Sequence, residues 1–161
     1  MLEAVNRKAR AMIDTSTLWV PVKVPTGQKS LDDFMHSWKE GQLQGAPFNG
    51  EIDSPMDRKP ERRMTIDESK ISHCVTDVAF NTFDPVKNTV MARIRFCGPQ
   101  GAEAREKFIK KDLRFIARSV VVRHNQTGER SNKIITFDCI QKPNDPNLVD
   151  DCRKAHDAGI V

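Results

Sequence analysis

The stretch RFIARSVVVRH (Arg114–His124), the tetrad NQTG (Asn125–Gly128) and the returning run KIITFDCI (Lys133–Ile140) decide the fold. The two runs are rich in β-branched and aromatic residues, and the tetrad carries turn chemistry, so the region predicts a long antiparallel hairpin. Working outward, Val90, Ala92, Ile94 and Phe96 alternate with Met91, Arg93 and Arg95, the period of a half-buried strand. Gly98-Pro99 breaks it, and Gly101–Asp112 reads as a helix with Ala104, Phe108 and Ile109 inward. Ile71–Phe80 is a further strand. Thr17–Val24 is another, placed at a sheet edge by Pro21. Ser30 and Asp33 give a capping signal before Leu31, Phe34, Met35 and Trp38, an amphipathic helix expected to stop near Gly41. Leu2, Val5, Ala9, Met12 and Ile13 predict a helix within residues 1–14, and Leu148, Val149, Cys152 and Ala155 predict one within 147–161. The expectation is a single domain over 1–161, of class α+β: a mainly antiparallel sheet or barrel flanked by helices, its β-rich core over 69–146.

Composition narrows the function classes. With 161 residues, 38% hydrophobic, 30% charged, 9 Pro and 8 Gly, the chain has ordinary globular usage, which excludes collagen-like and low-complexity classes. No apolar run approaches the roughly 20 residues of a bilayer span, and the charged N-terminal stretch does not read as a signal peptide. The expected location is the compartment of synthesis. Cys74, Cys97, Cys139 and Cys152 are far apart with no Cys-x-x-Cys pair, which suits reduced, buried thiols and gives neither a metal site nor a disulfide framework. The chain lacks Tyr and has two Trp, little for a base-stacking platform. Glycine-rich nucleotide loops, His-Glu-x-x-His and Gly-x-Ser-x-Gly are all missing, so no cofactor is expected.

Charge is more informative. The net value is +4, from 26 basic and 22 acidic residues. Residues 45–68 read as an irregular basic loop, punctuated by Pro47, Gly50, Pro55 and Pro60 and loaded with Arg58, Lys59, Arg62 and Arg63. A second cluster, Arg105, Lys107, Lys110, Lys111, Arg114 and Arg118, is interleaved with acids and reads as a solvated face. Arg58, Lys59, Arg62 and Arg63, with Lys110 and Lys111, are the candidate binding residues for an acidic partner surface or a phosphate backbone. His36, His124 and His156 read as surface or boundary residues.

Three further segments share an order. Gly50-Glu51-Ile52-Asp53-Ser54-Pro55, then Ile71-Ser72-His73-Cys74-Val75-Thr76-Asp77, then Thr136-Phe137-Asp138-Cys139-Ile140-Gln141-Lys142-Pro143 together resemble the prohead proteases of tailed phages. These capsid-maturation serine proteases have a herpesvirus assemblin-like fold. The resemblance covers roughly residues 48–146 and implies a phage protein with a prohead-protease-like fold. The family histidine of Gly-Glu-Leu-Asp-His-Pro falls on Ser54. When Leu113-Arg114-Phe115-Ile116-Ala117-Arg118-Ser119 is aligned on the nucleophile strand, the family serines fall on Ile116 and Ala117. A hydroxyl nucleophile needs a base to take its proton, and neither partner stands at its expected place.

The resemblance therefore implies a protein that has lost catalysis and serves as a structural, assembly or binding module. Its partners would be capsid, scaffold or other virion proteins, in the host cytoplasm or the virion. An active capsid-maturation endopeptidase is the alternative, with Ser119 as nucleophile and His73 as base. A nucleic-acid-binding protein using its basic surface is the second alternative.

Overall fold

The computed structural model describes residues 17–45, 48–56 and 58–141. The helices expected within 1–14 and 147–161, together with Cys152 and His156, lie outside the described residues. The fold is α+β. Six strands form one mixed sheet, β1 (Leu18–Lys23), β2 (Asn49–Glu51), β3 (Ile71–Asp84), β4 (Thr89–Phe96), β5 (Leu113–Arg123) and β6 (Arg130–Gln141), in the order β2-β3-β4-β1-β5-β6. Helix α1 (Gly27–Leu43), a single turn α2 (Pro60–Arg63) and α3 (Gly101–Ile109) accompany it, with a short 3-10 turn at Glu68–Lys70.

All neighbouring strands are antiparallel except β1 and β5, which run parallel. The sheet curls until its two outer strands meet. Ile52, just past β2, bridges Cys139 of β6, and the Asp53 N–H donates to the Cys139 carbonyl at 2.8 Å. This seam nearly closes a barrel, and it explains why β2 needs only three residues. Its residues pair with β3 along one side, and the chain just past it bridges β6 on the other.

The alternating sequence pattern supplies the core. Val20 and Val22 of β1, Val90, Ala92 and Ile94 of β4, and Phe115, Ala117, Phe137 and Cys139 of the β5–β6 hairpin all face inward. Helix α1 covers the opening with Leu31, Phe34 and Trp38, and Phe34 touches the rings of Phe48, Phe80 and Phe137. Burial of such side chains stabilises by about 1.5–3 kcal/mol each.

Four local expectations change. Ile109, expected inward with Ala104 and Phe108, is the last residue of α3 and is 54% exposed. Pro21 is in an interior strand, between β4 and β5, because the parallel ladder to β5 covers only Val22 and Lys23 and the nitrogen without a hydrogen falls before it. Helix α1 starts at Gly27, three residues before the capping signal. Ser30 is inside the helix and donates its hydroxyl to the Thr26 carbonyl at 3.4 Å, and the helix runs on to Leu43. The segment 45–68 holds β2, the Ile52 bridge and α2, so the chain there is pinned to the barrel at several points.

Candidate functional site

The seam carries the most unusual chemistry in the described residues. β2, β5 and β6 bring Glu51, Arg118 and Asp138 together, and all three are fully buried. Arg118 and Asp138 lie on the face of β5–β6 opposite Phe115, Ala117 and Phe137, since successive side chains alternate. That outer face is roofed by the chain from α2 to Thr65. Arg118 Nη1 donates to the carbonyls of Arg63 at 3.1 Å and Thr65 at 2.7 Å.

All five guanidinium donors of Arg118 are used. Nε reaches Asp138 Oδ2 at 2.6 Å, while Nη2 reaches Asp138 Oδ1 at 2.9 Å and Glu51 Oε2 at 2.7 Å. The Glu51 carboxylate also accepts both Arg62 amino groups and the Asp67 N–H at 3.1 Å. Asp138 accepts the Glu51 N–H at 2.9 Å and the Ser54 hydroxyl at 2.7 Å. Two carboxylates and two guanidiniums thus form a charge-balanced network in which each carboxylate is approached by two donor groups or more. Buried ions are tolerated only when paired and hydrogen-bonded in this way.

The electrostatics follow. Desolvation pushes the Glu51 carboxyl upward, but the bonds from Arg62, the Asp67 N–H and Arg118 outweigh it and hold the group below the usual carboxylate range. At Arg118, burial pulls the guanidinium down and the Asp138 and Glu51 bonds raise it above its ordinary value.

His73 lies beside this network on β3. Its Nε2 donates to the Phe137 carbonyl at 2.7 Å, and the Ser72 hydroxyl lies 2.9 Å from its Nδ1. With Nε2 carrying the hydrogen, Ser72 donates to Nδ1, and the ring is a neutral imidazole with both nitrogens used. Its ring also meets Phe115 edge-on. Complete burial pushes its pKa below the ordinary histidine value, against the opposing influence of the Phe137 carbonyl and Asp138. Cys139 packs nearby, 3.4 Å from the Ser72 hydroxyl, and burial pushes its thiol up to about 12.

These two groups give a signed pH dependence. Both are held below their ordinary values of 6.5 for His73 and 4.5 for Glu51, so the unfolded chain takes up protons first as pH falls. His73's contribution is complete above 6.5 and is lost as pH drops toward its folded value. Glu51's is complete above 4.5 and is lost below that. The urea midpoint is expected to be flat between about pH 7 and about pH 8, to fall in two stages on acidification, and to fall again above the ordinary thiol value of 9.0, where the buried Cys139 resists ionisation. A midpoint that stays constant from about pH 7 to about pH 5 would contradict a buried, neutral His73.

The candidate site residues from the sequence separate. Ser119 sits just past a bulge in β5, opposite Ile134, and shares no hydrogen bond with His73. Ile116 and Ala117 pair with Asp138 and Phe137. Ser54 occupies the seam itself. Of the basic loop, Arg62 is spent on Glu51, and the Arg63 guanidinium turns back to the Met56 carbonyl at 3.4 Å. Lys59 is the N-cap residue of α2, and Arg58 joins Arg62 and Lys70 on a cleft of about 470 Å³ that Ser54 and Gln141 also line. Lys110 and Lys111 follow α3, with Lys111 at φ 63°, and take no part in that cleft. Glu51, Arg118 and Asp138 as a unit were not predicted. The available signal was a lone arginine inside the apolar run FIA-R-SVVV, where a solvated residue does not belong.

Among the described residues no group of three or more His, Cys, Asp or Glu is placed to hold a metal, and no helix is long and apolar enough to cross a membrane. The comparisons with known proteins add no relative: no family model matches the chain, and neither the curated proteins nor the solved structures give a match.

Proposed function

We propose that this chain is a non-catalytic relative of the phage prohead proteases, serving as an assembly or binding module for capsid, scaffold or other virion proteins. One observation carries the reading. The segments that bear the family-like motifs, 50–55, 71–77, 113–119 and 136–143, are distant in sequence, yet their described residues converge on the seam. There the position of the family's base is a serine that donates to Asp138, and the nucleophile positions are an isoleucine and an alanine paired along β5–β6. Charged residues fill the space with a closed set of hydrogen bonds, an arrangement suited to holding a surface rigid for a partner. The cleft beside Ser54 is the contact region of this reading.

Co-expression with the capsid and scaffold proteins of the encoding phage tests it. The protein is expected to sediment with assembling particles while leaving those proteins uncut. Cleavage of either one, abolished by Ser119→Ala, would establish the endopeptidase reading in its place. Failure to sediment with particles at all would remove the assembly role.

A further inference from the structure

The far end of the β5–β6 hairpin has a different character from the seam. Beyond Ile116, β5 has β6 as its sole strand neighbour, since the pairing with β1 stops at Phe115 and Ile116. The hairpin therefore leaves the barrel as a two-stranded ribbon. Its base is anchored by the buried Val120 and Ile134, and the four residues from Val121 to His124 carry it outward by about 14 Å at the usual rise per residue. Asn125 to Gly128 close it, with the Gly128 N–H donating to the His124 carbonyl at 2.8 Å.

The two faces of the ribbon differ. Val122, His124, Ser131 and Lys133 line a groove against α1, which contributes Asp33. The other face carries Val121, exposed at 60%, and beyond it Arg123 directly opposite Arg130. Like charges directly opposite on antiparallel strands destabilise the pair. Neither arginine has an acidic or hydrogen-bonding partner among the described residues, and both are exposed. From Arg123 to Lys133 the chain has three Arg or Lys and one acid, Glu129, with Asn125, Gln126 and Thr127 at the tip.

We propose that this ribbon is a docking arm for duplex DNA. An antiparallel two-stranded ribbon fits the major groove of B-form DNA, whereas the deep, narrow major groove of A-form RNA does not admit it. Arg123 and Arg130, held side by side, meet phosphates that remove their mutual repulsion. The tip then presents amide and hydroxyl groups of the kind that read base edges. This surface is separate from the seam: Asp138 lies five residues further along β6 than Lys133, so the arm and the proposed assembly cleft act independently.

Fluorescence anisotropy with a labelled DNA duplex tests the arm, titrated between about 50 and 200 mM salt. Two neutralised phosphates at about 0.9 each contribute about 1.8 to the slope of log K against log salt. The variant Arg123→Ala/Arg130→Ala is expected to lose that increment and most of the affinity at low salt, whereas the charge-matched Lys29→Ala/Lys39→Ala, at exposed positions of α1, binds like the parent. Thermal unfolding of the ribbon variant should match or exceed the parent, because the facing arginines no longer repel. Three results would each overturn the proposal: no saturable binding at the lowest salt, an unchanged slope in the ribbon variant, or equal affinity for a single strand of the same charge.

Discussion

Replacing Arg118 with methionine is expected to lower stability by about 3–5 kcal/mol, a large share of the 5–15 kcal/mol typical of a folded domain. At roughly 2–4 °C per kcal/mol for a chain of this size, the melting temperature falls by about 6–20 °C. Methionine fills similar space but donates nothing. Glu51 keeps Arg62, yet Asp138 is left buried with only the Ser54 hydroxyl and one backbone N–H. The Arg63 carbonyl loses its partner and the Thr65 carbonyl keeps only Arg62 Nη1, which loosens the roof over β5. Arg118→Lys separates charge from geometry. A single ammonium has three donors and cannot replace a planar fork with five, so the lysine variant is expected to recover less than half of the loss. Urea unfolding of both variants is the measurement. A methionine variant within about 1 kcal/mol of the parent would mean that the network contributes little beyond filling space.

The barrel was legible in the sequence where side chains alternate and opaque where they do not. Val90 to Phe96 follows the two-residue period, the β5–β6 hairpin announces itself by β-branched and aromatic runs around a turn, and these strands stand close to where those signals put them. β2 carries no such signal. Asn49-Gly50-Glu51 has low strand propensity and only three residues, and it is a strand because β3 and β6 present unpaired edges on both sides of it. Tertiary closure made that element, and a local reading of the proline-punctuated segment 45–68 does not contain it. Pro21 shows the same limit from the other direction, since a missing donor disqualifies a residue from a ladder only where a ladder bond is required.

The charged residues were harder still. A count of basic residues treats Arg62 and Arg118 like Lys110 and Lys111. Burial divides them: Arg118 has no exposure, and Arg62 is paired to a carboxylate that has none. Two of the acids that balance the chain's charge are consumed at the seam. Two arginines are consumed with them, so the formal +4 carries over unchanged to the rest of the chain, where Arg123 and Arg130 are exposed. The ribbon was legible as a hairpin, but its significance required the register that sets those two arginines opposite one another.

Gly50→Ala is expected to cost about 3 kcal/mol, at the upper end of the usual overpacking range. Most glycines in the chain tolerate a methyl group sterically or are set by a turn, but Gly50 is where the seam closes. A Cβ there would meet the Phe137 carbonyl oxygen and His73 Nε2 at distances that no real Cβ contact shows. Those are the two atoms that hydrogen-bond to each other across β3 and β6. The backbone of β2 lies against that bond, and Glu51, the next residue, delivers both its N–H to Asp138 and its carboxylate to Arg118. A methyl at Gly50 displaces β2 and loosens the charge network one residue away. The double variant Gly50→Ala/His73→Ala identifies which contact matters. Truncating the imidazole relieves one clash but leaves the β6 carbonyl in place, so the double variant is expected to be no more stable than Gly50→Ala alone. Recovery of the parent's urea midpoint in the double variant would mean instead that the ring, and not the strand backbone, sets the approach of β2 to the seam.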